Sequence, residues 1–429
     1  MILKNGVLVT LDPQHVERSE LRIEGDRIVE RGPALTSGPG EEVLDLAGAL
    51  VLPGLVNAHT HLYSALARGM PGPTDPPRGF VEILEKVWWR LDRALDEESV
   101  HLSGLVGAIE AARSGTTTVF DHHASPSCVR GSLDMLRRAT EEVGIRSVLC
   151  YETTDRNGLE GRDAGVAENR AFLAAGPTAL TRGMVGAHAS FTLSDESLDR
   201  LAGTVREAGS SLHVHVAEDR ADVEDCRGRC GAGVVERLRL HGLLGPGTML
   251  VHGVHLTAAE LREAQDAGAW LVHCPRSNMN NAVGQAPTTA FRRAALGTDG
   301  LDQDMLAEAR VAFLKMREAG RADASAAALA TVVVGHRLAG AFFGLPLGRL
   351  DASSPADLVV LDYRPLTPLT AANVAGHVLF GLDRSHVRST MVAGRFVVRD
   401  RAVTTVDEAA VFARARAAAE RLWDRMQQL

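Results

Sequence analysis

Eight short apolar runs recur between residues 55 and 300, each nearly uninterrupted by polar side chains. They are LVNAHTH (55–61), TTTVFDHH (116–123), RSVLCYET (146–153), GMVGAHASF (183–191), SLHVHVAED (211–219), MLVHGVHL (249–256), WLVHCPRSN (270–278) and AALGTDG (294–300). Such continuous hydrophobicity is typical of parallel strands that are buried on both faces. Segments with helical periodicity separate most of the runs, for example residues 195–209 and residues 257–268. This alternation predicts an α/β fold, a (β/α)8 barrel of the TIM type.

The two ends of the chain show a different pattern. Residues 1–53 and residues 349–404 alternate short β-like stretches with glycine-containing turns. The remaining C-terminal residues have the composition and the apolar period of a helix. We therefore predict a small β-sandwich domain with a C-terminal helix, built from residues 1–53 and 349–429, and a barrel domain over residues 54–348.

Polar residues stand at the C-terminal side of nearly every run, which is the face that carries the active site in barrels of this kind. His59 and His61 are one residue apart, so a strand directs both imidazoles to the same face. His215 ends the fifth run, and Asp299 ends the eighth run, which lies next to the first in a closed barrel. Nitrogen and oxygen ligands of this kind suit a catalytic metal ion. The sequence predicts a metal site formed by these four residues.

Two further residues can serve the chemistry at such a site. Glu218 follows His215 by three residues, an offset that places a carboxylate near a metal-activated water without ligating the metal, as a proton shuttle requires. His252, from the sixth run, can orient that water. Any one of these histidines could instead be a buried structural residue, and Asp299 could be a turn former before Gly300. Their occurrence together, in barrel order, favours the catalytic interpretation.

The motifs LPGLVNAHTH, HVHVAE, LVHGVHL, HCPRSN and GTDG occur here in the order found in the amidohydrolase superfamily. The chain resembles the cytosine deaminase, guanine deaminase and chlorohydrolase-like branch, and residues 88–126 are most similar to SsnA-type aminohydrolases. The resemblance implies one divalent metal on the four ligands. Some relatives bridge two metals with a carboxylated lysine on the fourth strand, but the fourth run here has His188, and no lysine lies in any run. Zn²⁺ is the expected metal, and Fe²⁺ or Mn²⁺ would accept similar ligands.

The expected reaction is hydrolytic deamination of a small nitrogen heterocycle by a metal-activated water. Asp299 would accept a proton from the water, His252 would hold it in line, and Glu218 would protonate a ring nitrogen of the substrate. A chlorohydrolase or a cyclic-amide hydrolase could use the same site and is the alternative. A barrel that has lost catalysis and serves as a scaffold is a third interpretation, although such proteins usually lose metal ligands.

Substrate contacts are predicted at positions near the barrel mouth. His188 ends the fourth run and is expected to face the substrate. His122 and His123 follow the second run, where a substrate contact and a structural role are both open. Trp88 could stack on a flat heterocycle, as could Trp89, although aromatic pairs in a helix more often belong to the core.

Composition limits the remaining function classes. The formal net charge of −8 at pH 7 comes without a basic stripe, which argues against nucleic acid as a partner. No uninterrupted apolar stretch reaches the length of a membrane span, and the N-terminus lacks the pattern of a signal peptide. Five cysteines make no disulfide framework. We expect a cytoplasmic enzyme that acts on a small molecule and, by family analogy, forms a homo-oligomer, for example a dimer.

Overall fold

The computed structural model describes residues 1–300 and 302–429. The strands are β1 (Ile2–Leu11), β2 (Gln14–Glu24), β3 (Arg27–Gly32), β4 (Val43–Asp45), β5 (Leu50–Pro53), β6 (Leu55–Thr60), β7 (Thr116–His123), β8 (Arg146–Thr153), β9 (Thr181–Gly183), β10 (Val185–Ala189), β11 (Leu212–Val216), β12 (Met249–His252), β13 (Trp270–His273), β14 (Ala294–Leu296), β15 (Leu358–Leu361), β16 (Val387–Val392), β17 (Arg395–Arg399) and β18 (Ala402–Val403).

The helices are α1 (Phe80–Ile83), α2 (Trp89–Ala94), α3 (Glu97–Arg113), α4 (Ser132–Val143), α5 (Gly158–Ala175), α6 (Asp195–Ala208), α7 (Arg220–Cys230), α8 (Val234–Leu240), α9 (Ala258–Asp266), α10 (Pro275–Asn280), α11 (Met305–Glu318), α12 (Ala324–Phe343), α13 (Val374–Gly376) and α14 (Glu408–Gln427). A π-helical turn, Leu84–Trp88, joins α1 to α2. At the start of α9, Thr257 and Glu260 form a capping box.

Eight parallel strands form the barrel. Their order is β6-β7-β8-β10-β11-β12-β13-β14, and the short strand β9 pairs with β8. The last strand meets the first through a parallel bridge between Thr60 and Asp299, where the Asp299 amide donates to the carbonyl of His59 at 3.0 Å. Each of the eight apolar runs supplies one of these strands, so the predicted (β/α)8 barrel is confirmed.

The chain ends build a separate mixed sheet. Nine strands join in the order β18-β17-β16-β15-β5-β1-β2-β3, with β4 on β1. Strand β5 from the N-terminal part pairs antiparallel with β15 from the C-terminal part. This confirms that both ends contribute to one β domain, while the boundaries at residues 53 and 349 stay predictions.

A buried ion pair connects this sheet to the barrel. Arg146, at the start of β8, donates from Nε and Nη2 to the two carboxylate oxygens of Asp357, at 2.6 and 3.1 Å. The same carboxylate accepts the backbone N–H of Ala393 at 2.8 Å. Both charged side chains are almost fully buried. Loss of either partner would leave an unpaired buried charge, so this contact holds the sheet against the barrel wall.

Within the described residues, one helix is long and apolar enough to cross a membrane by length and composition. This helix is α12, and 61% of its most apolar 18-residue window is buried inside the protein. It packs against β6 and β14. A core helix of a barrel passes the same test of length and composition, and the packing of α12 is that of a core helix.

Closure of the barrel depends on a glycine. A Cβ atom at Gly297 would lie 2.7 Å from the Cβ and 2.8 Å from the carbonyl oxygen of His59. We expect Gly297→Ala to force β14 away from β6 and to lower the free energy of unfolding by about 1–3 kcal/mol in urea titrations. Gly203→Ala is the control, because a Cβ there meets no atom within 4 Å and helical alanine stabilises by about 0.5–1 kcal/mol. Equal stability of Gly297→Ala and the wild type would contradict this account.

Candidate active site

Four side chains converge at the C-terminal ends of β6, β11 and β14. The Nε2 atoms of His59 and His61 lie 3.3 and 3.0 Å from Oδ1 of Asp299. The Nε2 atom of His215 lies 3.3 Å from Nε2 of His59. The structure thus brings the four sequence-predicted ligands together, although they are up to 240 residues apart in the chain. His252 also has a ring nitrogen within 4.8 Å of the ligand atoms of His59, His215 and Asp299, while His61 joins the cluster through Asp299.

The ring nitrogens that face away from this centre all have partners. The Nδ1 atom of His59 lies 2.9 Å from Nε2 of His213, that of His61 lies 2.5 Å from the carbonyl of His122, and that of His215 lies 2.9 Å from the carbonyl of His188. Carbonyl partners on Nδ1 leave the Nε2 lone pairs directed at the centre. Ligand atoms of a tetrahedral zinc ion lie about 3.3 Å apart, which matches the separations found here. The cluster therefore fits a divalent cation.

The charges in the cluster also suit a cation. Burial lowers the pKa of His59 to about 3 and keeps the pKa of His215 well below the ordinary value, so both rings are neutral. Burial opposes the ionisation of Asp299, but hydrogen bonds from His59 and His61 hold its pKa well below the ordinary value. At His61 the hydrogen bond and charge of Asp299 outweigh burial and raise the pKa to about 9. His59 and His215 are therefore in the neutral form that binds metals, whereas His61 holds a proton that it would release to a bound cation.

Glu218 and His252 flank the cluster. The Nε2 atom of His252 lies 3.4 Å from Oε2 of Glu218 and 4.0 Å from Oδ2 of Asp299. Burial, with the nearby charge of Asp299, raises the pKa of Glu218 to about 7, although His252 opposes the shift. A carboxyl group with this pKa can both give and take a proton near neutrality.

Two of these residues have backbones in the left-handed region. His252 has φ = 71° and Asp299 has φ = 57°. Neither is a glycine, so each conformation costs free energy and persists only because the surrounding structure enforces it. Such strain at two strand ends of one barrel face is typical of a functional site, where it fixes the direction of the side chains.

Helix α10 and the residue that follows it contact Asp299, His252 and Glu218 with three different side chains. Ser277 donates from Oγ to Oδ2 of Asp299 at 2.5 Å, Asn278 Oδ1 lies 2.8 Å from Nδ1 of His252, and Asn281, directly after the helix, donates to Oε1 of Glu218 at 3.2 Å. Ser277 and Asn278 belong to the HCPRSN motif, whereas the sequence gave no indication of Asn281. The HCPRSN motif was the available signal, since it brings a proline-initiated helix directly after a barrel strand.

Asn278 provides a test of this arrangement. We expect Asn278→Ala to lower kcat about tenfold or more with little change in KM, because His252 loses the acceptor that fixes its tautomer. Asn278→Asp keeps an acceptor oxygen and should recover part of the rate. The control is Met279→Ala, since this neighbour is 54% exposed. An unchanged kcat in Asn278→Ala would show that the contact does not position His252.

An aromatic pocket opens above the cluster. Its walls include Phe80, Trp88 and Trp89 from the helical segment 80–94, together with His188 and Phe191. Trp89 meets His188 with ring centroids 6.1 Å apart. The segment that begins at Phe80 supplies this wall, and none of residues 70–79, the Pro/Gly-rich loop before it, is part of the lining.

The predicted substrate residues separate into two groups. His188 and Trp88 line the pocket, as does Trp89. His122 and His123 are fully buried and are not among the lining residues. His122 Nε2 lies 3.1 Å from the carbonyl of Ala187, and His123 Nε2 lies 2.8 Å from Oγ of Ser125. Both histidines contact the protein interior, and the substrate role considered for them stays a prediction.

Glu152 is a pocket residue that sequence reasoning missed. It lies near the end of β8, lines the pocket, and has Oε2 3.3 Å from Nδ1 of His122. The sequence did contain an indication of Glu152, because this residue stands at the C-terminal side of the third apolar run. That is the position from which the other site residues were predicted.

The fold and the site define a class of protein, a TIM barrel that carries a histidine–aspartate cluster suited to a metal ion at the C-terminal ends of its strands. The amidohydrolase family matches residues 50–397, and the chain belongs to this family. A 5-methylthioadenosine/S-adenosylhomocysteine deaminase of Moorella thermoacetica is 32% identical, over 96% of this chain and 97% of its own length. A 5'-deoxyadenosine deaminase of Methanosarcina mazei is 30% identical, over 98% of each chain. The predicted family and the predicted class, a hydrolase acting on carbon–nitrogen bonds other than peptide bonds, are confirmed.

Solved structures share the whole architecture. An adenosine deaminase from Xanthomonas campestris with bound zinc has a TM-score of 0.87 and 24% identity, covering 100% of this chain and 98% of its own. An atrazine chlorohydrolase from Arthrobacter aurescens complexed with zinc has a TM-score of 0.81 and 21% identity, covering 97% of this chain and 99% of its own. These likenesses confirm the fold class.

Proposed function

We propose that this amidohydrolase removes the exocyclic amino group of an adenosine-type, nucleoside-like heterocycle by hydrolysis. Hydrolytic deamination of a small heterocycle was expected from the sequence, and the deaminases among the relatives support it. The observation that carries the proposal is Glu218, a buried carboxyl group with a pKa near 7, placed between the pocket and the histidine–aspartate cluster.

We assign one divalent cation, most simply Zn²⁺, to His59, His61, His215 and Asp299. The donor set of three imidazoles and one carboxylate and the separations of these atoms support this assignment. Such a cation supplies Lewis acidity that makes a water molecule nucleophilic at neutral pH. Fe²⁺ and Mn²⁺ accept the same donor types and belong in the tests.

The roles of the chain's own groups follow from their positions. The two carboxylate oxygens of Asp299 have different neighbours. Oδ1 faces His59 and His61, while Oδ2 lies near His252 and accepts a hydrogen bond from Ser277. Asp299 Oδ2 accepts a proton from the attacking water, which His252 orients. Glu218 protonates a ring nitrogen, so that the amine-bearing carbon becomes electrophilic. The carbon–oxygen bond forms, the proton held by Asp299 passes through Glu218 to the amine, and the carbon–nitrogen bond breaks to release ammonia as the new hydroxyl group returns a proton to Glu218.

Ammonia release tests this function. The zinc-, iron- and manganese-loaded enzyme is incubated with adenosine, 5'-methylthioadenosine, 5'-deoxyadenosine, cytosine and guanine, and with a chlorotriazine and a cyclic amide. Ammonia from an adenosine-type amine is the expected result. Chloride release or ring opening without any ammonia would replace the proposal with the chlorohydrolase or cyclic-amide alternative. A purified protein that binds no metal and shows no turnover would favour the scaffold interpretation.

The remaining expectations stay predictions. A homo-oligomer is to be checked by light scattering of the purified protein. The absence of a nucleic-acid or membrane partner and a cytoplasmic location rest on sequence composition alone.

A further inference from the structure

Among the described lining residues of the pocket, carboxyl groups outnumber basic side chains, and all of the basic ones are histidines. Six of its described lining residues carry a carboxyl group, and none is lysine or arginine. Two of the six, Glu218 and Asp299, belong to the proposed reaction centre. The other four are Asp92, Glu152, Asp219 and Asp222, of which Asp222 accepts the backbone N–H groups of Ala217 and Phe191.

The guanidinium of Arg156, next to this wall, is already engaged in ion pairs. Arg156 lies behind the pocket wall, where it forms ion pairs with both Asp92 and Glu152 and stacks over the ring of Trp89 at 5.2 Å. Two carboxylates therefore share one guanidinium. Burial raises the pKa of Asp92 to about 7 in spite of Arg156, so Arg156 alone does not keep Asp92 fully ionised near neutral pH. Burial also opposes the ionisation of Glu152, but the charge of His188 and the contact with His122 outweigh it and hold the pKa of Glu152 well below its ordinary value.

One acceptor in this wall has no partner. Oδ1 of Asp92 makes no hydrogen bond with any described residue, and water cannot reach it freely because the side chain is only 1% exposed. A buried acceptor without a donor is costly, and a ligand that brings an N–H or O–H group removes that cost. The atom belongs to a side chain that lines the pocket, as do Trp88 and Trp89.

We propose that this pocket accepts neutral or cationic heterocyclic amines and rejects those that carry a carboxylate or phosphate on the part that enters it. The inference rests on the proposed deamination and adds the charge of the substrate. An anionic substituent would face Asp92, Glu152 and Asp219 with no lysine or arginine to receive it, and like charges across an interface oppose binding. An ammonium or a neutral donor group instead meets free acceptor capacity and aromatic faces.

Three adenosine derivatives that differ in one group at a time test the charge selection. They are 5'-methylthioadenosine, which is neutral, S-adenosylhomocysteine, which has a carboxylate and an ammonium, and the decarboxylated form of the latter, which keeps only the ammonium. We expect kcat/KM of the decarboxylated form to exceed that of S-adenosylhomocysteine by about tenfold or more. Each compound is also measured as a competitive inhibitor of whichever amine the enzyme deaminates fastest, so that binding is ranked even without turnover.

Substitutions in the pocket wall should change the ratio of kcat/KM between the decarboxylated form and S-adenosylhomocysteine in a predictable direction. Asp219→Asn removes one negative charge and keeps a good N-cap for α7, so discrimination against S-adenosylhomocysteine should weaken severalfold. Asn280→Lys adds a positive charge at an exposed position of the pocket lining and should weaken the discrimination against S-adenosylhomocysteine further. Glu224→Gln is the matched control, because Glu224 lies on the exposed side of the same helix α7 and does not line the pocket.

The outcomes separate this inference from the proposed function. Equal or better binding of S-adenosylhomocysteine than of its decarboxylated form would overturn the charge selection, while ammonia release from either compound would leave deamination intact. Binding of none of the three compounds would also overturn it. Absence of ammonia from every amine tested would overturn the proposed function itself.

Discussion

Replacement of Glu218 by glutamine is expected to lower kcat by about 10²–10⁴-fold, because the amide cannot transfer a proton to the ring nitrogen or the leaving amine. Glutamine has nearly the same shape, and its carbonyl oxygen can still accept the hydrogen bond that Asn281 donates at 3.2 Å. Steady-state ammonia release measures the rate, and elemental analysis of the purified variant measures the metal content, which should stay at the wild-type value.

The control for this variant lies six residues further along the chain. Glu224→Gln makes the same chemical change on an exposed side chain of α7 and should leave kcat unchanged. If Glu218→Gln kept its full rate on the identified substrate, proton transfer would have to come from another group. If it lost its metal as well, Glu218 would have a role in binding the cation that the present assignment does not include.

His215→Asn is expected to abolish metal binding and to lower kcat/KM by about 10³-fold or more, since one of four ligands is lost and with it the activation of water. The neighbouring His213→Asn offers a close comparison, because both histidines are buried in β11 and receive the same substitution. His213 does not face the centre but contacts Nδ1 of His59 at 2.9 Å. Loss of such a supporting partner typically weakens metal affinity by about 10–100-fold.

Metal titration with a competing chelator, together with turnover at saturating metal, distinguishes the two variants. His213→Asn should regain most of its activity at high metal concentration, whereas His215→Asn should not. Full metal content in His215→Asn would remove this residue from the ligand set. Identical behaviour of the two variants would indicate that they act through the stability of β11 and not through the site, which urea unfolding would show directly.

Much of the barrel could be predicted because its signal is local. A strand buried on both faces must be apolar along its whole length, so each of the eight runs marked its own strand. The spacing of His59 and His61 placed both imidazoles on one face of β6 for the same local reason. Because parallel strands of a barrel end at one face, the order of the runs also brought His215 and Asp299 to that face.

The surroundings of the site were decided by contacts between distant parts of the chain. Asn278 and Asn281 reach His252 and Glu218 only because α10 packs across the barrel mouth, and no local pattern encodes that direction. Burial of His122 follows from packing against Ala187, which is 65 residues away. A side chain near the end of a strand can point into the pocket or into the protein interior, and packing against the neighbouring strands decides between the two.

The sequence by itself determined the eight strands, the face on which the chemistry lies and the residue types that gather there, because hydrophobic period and strand alternation act over a few residues. Only the tertiary structure decided the charge balance of the pocket. Asp92, Glu152 and Arg156 come from separate positions in α2, β8 and the loop after β8, and the sharing of one guanidinium by two carboxylates exists only after these elements pack. Electrostatic energy depends on distance and burial, and both are properties of the folded chain.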